Sequence, residues 1–346
     1  MGNTPDYREI EAVLRQITGK GVGFGNLVQE AMEGENLFSV KRWISLLGNV
    51  VLEQFELHGQ TIGYLLLLII SAAMLATIAK AFRNAQISDM GFFLIFLLLF
   101  LILMKSFGNC YELTERVITD LIVFMKVLMP TYLMATAVSA YPTSAVVYYE
   151  GFLLLIYYLQ KLVEVFLLPA IKCYVLFSML GHLGKDDYFS KGREGLKKLI
   201  IWTSKAMIGV AAGLQMVQGM ISPAVDEMKH TVFSKGISSL GNIGNVAQNV
   251  TDVILGSGAL LRNGIGVAAA IIIVSICLIP VAEVACYAVF YQVLAAVAQP
   301  ISDKRVMEMI GQVGDGIGLL LKILFTVCAL FLLTIAIVCV TTGGLG

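Results

Sequence analysis

The chain has 346 residues, 58% of them hydrophobic and only 14% charged, with 24 basic and 24 acidic side chains and a mean hydropathy of +0.83. Soluble domains carry about 25% charged residues, so an ordinary water-soluble core is excluded, and the zero formal net charge argues against a nucleic-acid partner. The expected fold is all-α: a polytopic transmembrane helical bundle with Pro-broken helices and a small amphipathic N-terminal helical region.

Residues 1–60 form that amphipathic region. Asp6–Ile17 and Asn36–Phe55 show helical apolar spacing with charged faces, joined by the glycine-rich stretch Gly19–Gly25. Those glycines alternate without a preceding strand, so they read as a linker rather than a phosphate cradle. The first 60 residues hold five Lys or Arg and eight Asp or Glu, a balance compatible with an extracytoplasmic position. No basic n-region or apolar h-region opens the chain, so a cleaved signal is expected to be removed already or absent.

Residues 61–346 read as the multi-span membrane domain. Thr61–Ala79 is uncharged, and at about 1.5 Å per residue it nearly covers a hydrocarbon core of roughly 30 Å. Met90–Phe107, with Lys105 snorkelling, and Ile323–Val340 are similar. Further apolar segments are expected at about 118–138, 145–168, 170–183, 199–221, 265–279 and 281–298, and the one holding Ile323–Val340 extends over about 317–341. The stretch 223–263 suits interfacial or re-entrant helices, with a solvated loop as the alternative.

Two prolines sit in matching contexts, Leu167-Leu168-Pro169 and Leu278-Ile279-Pro280, each followed three residues later by a charge, Lys172 or Glu283. They are candidate helix breaks, and the pattern suggests an internal repeat of 145–221 and 265–341. Inverted repeats with broken helices build central sites in many transporters; the alternative is two unrelated proline-kinked helices. The stretch Lys185–Lys198 is the richest basic connection in the chain and is expected on the cytoplasmic side.

The six cysteines mostly lie within apolar runs, and the three histidines are far apart in sequence. Membrane-packed thiols are therefore expected rather than disulfides, and no metal-ligand spacing is present. No G-x-S-x-G elbow or P-loop occurs, so no catalytic residues, no cofactor and no enzymatic activity are expected.

Charges within apolar segments cost a few kcal/mol each at the centre of a membrane helix, so they usually face protein or water. On a straight helix Glu150, Tyr157, Lys161 and Glu164 fall at about 0°, −20°, +20° and −40°, one polar stripe. Lys161 and Glu164 are spaced to pair, while Lys126 and Lys172 are candidate partners for Glu150. With Lys172 and Glu283, the stripe supplies the candidate path or interface residues; interhelical pairing that fixes register is the structural alternative. Gly209 and Gly213 offer a small-residue face for helix packing.

Several stretches taken in order resemble the stage III sporulation protein AE family: Phe124–Tyr132 with Ala135–Ala140, Leu168–Tyr174, Gly213–Gly219 running into Ser222–Asp226, Val253–Ser257 with Gly264–Gly266, and Ala298–Asp303. The resemblance covers roughly Thr61–Val340. Members of that family usually begin with a secretion signal and a longer polar preface, whereas this chain starts at Met1-Gly2-Asn3. The resemblance implies a membrane-embedded subunit of the channel-like or secretion-like complex that connects mother cell and forespore during engulfment. It also implies a place in the mother-cell membrane and partners of three kinds: other stage III sporulation membrane proteins, a cytoplasmic ATPase and extracytoplasmic ring proteins. An autonomous ion-coupled secondary transporter and a non-conducting membrane scaffold are the alternatives.

Overall fold

The structure is a computed structural model that describes residues 7–18, 23–33, 48, 63–64, 66–67, 69–71, 74, 85–138, 142–181, 189–238, 242–299 and 304–342. Side chains are described for most of these, but not for 85–89, 91–92, 136–138, 142–149, 215, 218–238, 242–259, 262 or 337–342. The expected helix Asn36–Phe55 and most of the expected span Thr61–Ala79 lie outside the described residues.

All regular structure among the described residues is helical: α1 (Arg8–Thr18), α2 (Phe24–Glu33), α3 (Ala85–Val138), α4 (Pro142–Lys161), a π-helical segment (Leu162–Leu167), α5 (Leu168–Leu180), α6 (Ser190–Ser238), α7 (Asn242–Ala298) and α8 (Lys304–Thr342). Among the described residues four helical stretches are long and apolar enough to cross a membrane: Phe93–Ala135, Glu150–Leu180, Asn263–Ala298 and Lys304–Ala336. The all-α membrane class expected from composition is therefore observed.

Several sequence segments merge. The expected spans 90–107 and 118–138 belong to one helix, α3. The intervening residues continue the helix because Glu112, Glu115, Arg116 and Thr119 point outward while Cys110, Thr114, Val117 and Ile118 are buried. The stretch 223–263 is helical on both sides of residues 239–241, as the end of α6 and the start of α7.

The two prolines behave differently. α7 runs through Pro280 without ending, which corrects the expectation of a helix break there. Inside a membrane helix the carbonyl freed by proline is re-satisfied by local adjustment and neighbouring groups, so proline need not end the helix. At Pro169 the chain also stays helical but changes hand-hold. The Leu168 N–H bonds to Val163 O, five residues back. The wider π turn makes room ahead of a residue that has no N–H and whose ring would press on the preceding turn.

α3, α7 and α8 pack against one another, the α7–α8 pair most extensively; α6 lies on α8, α4 and α5, and α5 on α8. The core between them holds Leu121, Phe124 and Met125 of α3, Ile273 and Val284 of α7, and Leu320, Leu324 and Phe331 of α8, all fully buried. Hydroxyls in this apolar environment donate to their own helix: Thr114 Oγ1 to Cys110 O at 2.8 Å, Ser275 Oγ to Ile271 O at 2.7 Å and Thr334 Oγ1 to Leu330 O at 2.8 Å. Back-bonding of this kind leaves no orphan donor where water is scarce.

Close approach is set by glycine at three places. A Cβ on Gly316 of α8 would collide with the Val175 side chain of α5, one on Gly314 would lie 3.1 Å from Tyr291 Cβ, and one on Gly264 would lie 2.7 Å from Met32 Cγ and 3.1 Å from Val28 O of α2. α2 thus rests on the start of α7's apolar stretch, and α1 rests on α3. Tyr7 and Phe24 close this small hairpin edge to face at 5.3 Å. Burial pushes the Tyr7 hydroxyl above its ordinary pKa.

Gly209 and Gly213 are not among these contacts. A Cβ at either meets nothing within 4 Å among the described residues, and both are exposed. The small-residue spacing permits a helix to approach, but α6 turns its other side, with Ile200, Thr203 and Met207, to the bundle.

Candidate functional site

Contacts between named residues fix the helices' relative depth. α7 and α8 are antiparallel, with Gly311 against Ala295 and Gly314 against Tyr291 and Gln292. α3 also runs antiparallel to α7, since Ser106 meets the Tyr291 hydroxyl and Cys110 lies near Tyr287. The α4–α5 unit runs antiparallel to α3: Lys126 Nζ donates to Gln160 Oε1 at 3.2 Å, and Lys172 Nζ sits 5.7 Å above the Tyr111 ring. α6 runs parallel to α8, with Lys197 beside Asp315 and Lys205 in the same groove as Lys322.

This register brings three charge-free stretches side by side. Residues 206–225 of α6, 263–282 of α7 and 323–342 of α8 each contain twenty residues without Asp, Glu, Lys or Arg, about 30 Å of helix. They are bounded at a common level by Lys205, Glu283 and Lys322, because Val281 and Ala285 line a groove together with Lys205 and Lys322. Beyond that same level, outside the charge-free stretches, α6 and α8 carry Lys191, Arg193, Glu194, Lys197, Lys198, Lys304, Arg305, Glu308 and Asp315.

Alongside the charge-free slab, α3 and α4 are charged. Lys105, Glu112, Glu115, Arg116 and Lys126 are exposed along one side of α3, and Glu150, Tyr157, Lys161, Glu164 and Lys172 are exposed along α4, the π segment and α5. The Lys126–Gln160 hydrogen bond joins the two rows. Together they form one outward polar face, interspersed with exposed apolar side chains, among them Val123, Leu153, Leu154 and Val165.

Most of the sequence-derived site residues are therefore brought together, though with different partners. Lys126 bonds to Gln160 and Lys172 lies over Tyr111, so neither takes Glu150 as its partner. Lys161 and Glu164 make no ion pair among the described residues. The π segment begins between them and widens the turn, which removes the α-helical three-residue spacing. Glu283 stands apart from the face: it lies near Cys110 and Tyr287, where α7 packs on α3. The exposed residues Glu112, Glu115 and Arg116 were not legible as site residues while 108–117 read as a connection.

A second polar cluster joins α6, α7 and α8. Lys197 Nζ donates to Asp315 Oδ2 at 2.6 Å, and Gln292 Nε2 donates to Asp315 Oδ1 at 3.0 Å. Lys197 also lies 6.0 Å from the Tyr174 ring centroid. Partial burial works to lower the Lys197 pKa, but its bonds to Asp315 and Tyr174 outweigh that and hold it above the ordinary lysine value.

Among the described residues no group of three or more His, Cys, Asp or Glu is placed to hold a metal ion. The five described cysteines are free thiols.

The family model for stage III sporulation protein AE matches residues 22–342. The chain belongs to the stage III sporulation protein AE family. It is 21% identical over 320 residues to the stage III sporulation protein AE of Bacillus subtilis strain 168, covering 92% of this chain and 80% of that protein. No solved structure matches it.

Proposed function

We propose that this chain is the membrane-embedded subunit of a channel-like or secretion-like sporulation assembly joining mother cell and forespore. In this assembly the polar face of α3, α4 and the π segment is turned to a neighbouring subunit or an aqueous path. The observation that carries the reading is the depth of that face. With the slab formed by 206–225, 263–282 and 323–342 taken as the hydrocarbon layer, Glu115, Arg116, Asp120, Lys126, Lys161 and Glu164 fall inside it and, apart from half-buried Asp120, are exposed. Lipid is a poor neighbour for such a row, at a few kcal/mol for each charge near the centre of a span.

Length supports the same reading. Phe93–Ala135 has 43 residues and Asn263–Ala298 has 36, about 65 and 54 Å of helix against a core of roughly 30 Å. Apolar side chains beyond the slab, such as Phe93, Leu94, Leu98 and Leu101, are exposed and need protein cover. Lys191, Arg193, Lys197 and Lys198 of the basic stretch lie at the Lys205–Lys322 end, which is assigned to the cytoplasm of the mother cell, where a cytoplasmic ATPase is the proposed partner. The α1–α2 hairpin, at the Gly264 end, then faces the gap between the membranes, toward extracytoplasmic ring proteins.

The test replaces Glu150, Glu164 and Glu283 by Gln, singly and together, and scores sporulation and co-purification with the other stage III membrane proteins. Substitutions at Glu150 and Glu164 are expected to weaken assembly or transport while the chain still accumulates in the membrane. The purified chain alone in liposomes is expected to show no solute uptake. Uptake by the isolated chain would establish a transporter instead. Full sporulation with all three residues replaced would leave a scaffold.

A further inference from the structure

We infer that the groove between α6, α7 and α8 is a binding site for an anionic phospholipid. The groove, about 630 Å³, is walled by apolar side chains, among them Ile208, Val281 and Phe325, and its polar fittings are Lys205, Lys322, Ser204 and Thr326. Both hydroxyls are already committed as donors, Ser204 Oγ to Ile200 O at 2.9 Å and Thr326 Oγ1 to Lys322 O at 2.7 Å. The two ammonium groups are then the donors left to meet a ligand, and both are exposed.

Among the described residues no carboxylate lines the groove. Val281 and Ala285 line it, whereas Glu283, between them on the helix, lies near Cys110 and Tyr287 on the α3 side. Two positive charges above an apolar wall complement an amphiphile with a negative head and a hydrocarbon tail. The depth is also that of a headgroup, since each lysine directly precedes a stretch of twenty uncharged residues. A phosphate between the ammonium groups leaves the acyl chains along Ile208 and Phe325, the latter 64% exposed. This site rests on the bilayer depth proposed above.

Trp202 of α6, 68% exposed beside Ile201 of the groove, reports on it. The full chain carrying Trp43→Phe is reconstituted in vesicles containing brominated phosphatidylglycerol or phosphatidylcholine with the same chains, and quenching of Trp202 gives the relative association of each lipid. A preference for phosphatidylglycerol is expected, with each ammonium contributing about fivefold. Lys205→Gln and Lys322→Gln should each remove their share, and the double variant should quench equally with both lipids. Equal quenching in the unsubstituted chain, or an unchanged preference in the double variant, overturns the site while leaving the bilayer depth intact. Absence of quenching by either lipid overturns the depth itself, and the site with it. A melting temperature for each variant in phosphatidylcholine separates loss of binding from loss of fold.

Discussion

Lys197 of α6 and Asp315 of α8 stand 2.6 Å apart, 118 residues distant in sequence, with the Asp315 carboxylate also accepting from Gln292 of α7. A single carboxylate thereby ties three long helices together at the level of the basic residues Lys191, Arg193, Lys197 and Lys198 near the start of α6. Both side chains are more than a third exposed, 38% and 37%, so solvent screens the pair and its coupling is expected to be about 0.5 kcal/mol. A double-mutant cycle with Lys197→Met and Asp315→Asn, read by reversible unfolding in detergent, measures it; a coupling of several kcal/mol would show a far drier contact.

The same lysine gives a pH dependence. Its pKa is raised in the folded chain, so the stabilisation is fully present below the unfolded lysine value of about 10.4 and fades as pH rises through the higher folded value. The difference in melting temperature between the parent and Lys197→Met is therefore expected to be constant at neutral to mildly alkaline pH and to shrink once pH rises past the unfolded lysine value. A difference that grew with pH would reverse the sign of the linkage.

Glycine positions separate intramolecular packing from free surface. Gly316→Ala drives a Cβ into Val175 and is expected to cost about 1–3 kcal/mol, as overpacking does, with Val175→Ala recovering part of it. Gly209→Ala meets open space among the described residues and should be neutral or stabilising by up to about 1 kcal/mol in a helix interior. Melting temperatures in detergent compare the two. A sporulation defect in Gly209→Ala with unchanged stability would mark that face of α6 as a contact with another chain.

Thiol reactivity should follow burial. Cys173 is exposed, whereas Cys110, Cys277 and Cys328 are buried, so a maleimide in mild detergent is expected to modify Cys173 first and the three buried thiols only on unfolding. Mass spectrometry of the labelled peptides gives the order. Early modification of Cys110 would open the α3–α7 packing that the structure shows closed.

Much of this was legible in the sequence because a membrane helix declares itself by length and apolarity. The stripe Tyr157–Lys161–Glu164 emerges from a 100° step, and the structure leaves it exposed. What was hidden depends on tertiary contacts. The charges at Glu112, Glu115 and Arg116 resemble a polar connection until the buried residues Cys110, Thr114, Val117 and Ile118 between them are seen to continue the same helix. Pro169 announces a disturbance, but not that a π turn will absorb it one turn earlier. Small-residue spacing at Gly209 and Gly213 shows where an approach is permitted; Gly264, Gly314 and Gly316 are where neighbours press in. Asp315, embedded in the glycine-rich stretch Gly311–Gly318, acquires its role only when Lys197 and Gln292 arrive from other helices.

The most direct measurement places spin labels one at a time at Tyr157, Lys161 and Glu164, and at Val210 and Phe325 on the apolar helices, in proteoliposomes. Collision rates with oxygen, which concentrates in lipid, are compared with those of a water-soluble nickel chelate. Val210 and Phe325, exposed at slab depth, should show the oxygen-dominated signature of lipid contact. Labels at Tyr157, Lys161 and Glu164 should show nickel access or shielding from both reagents. An oxygen-dominated signature at those three, matching Val210, would mean that lipid covers the charged face and would contradict its assignment to a path or a neighbouring subunit.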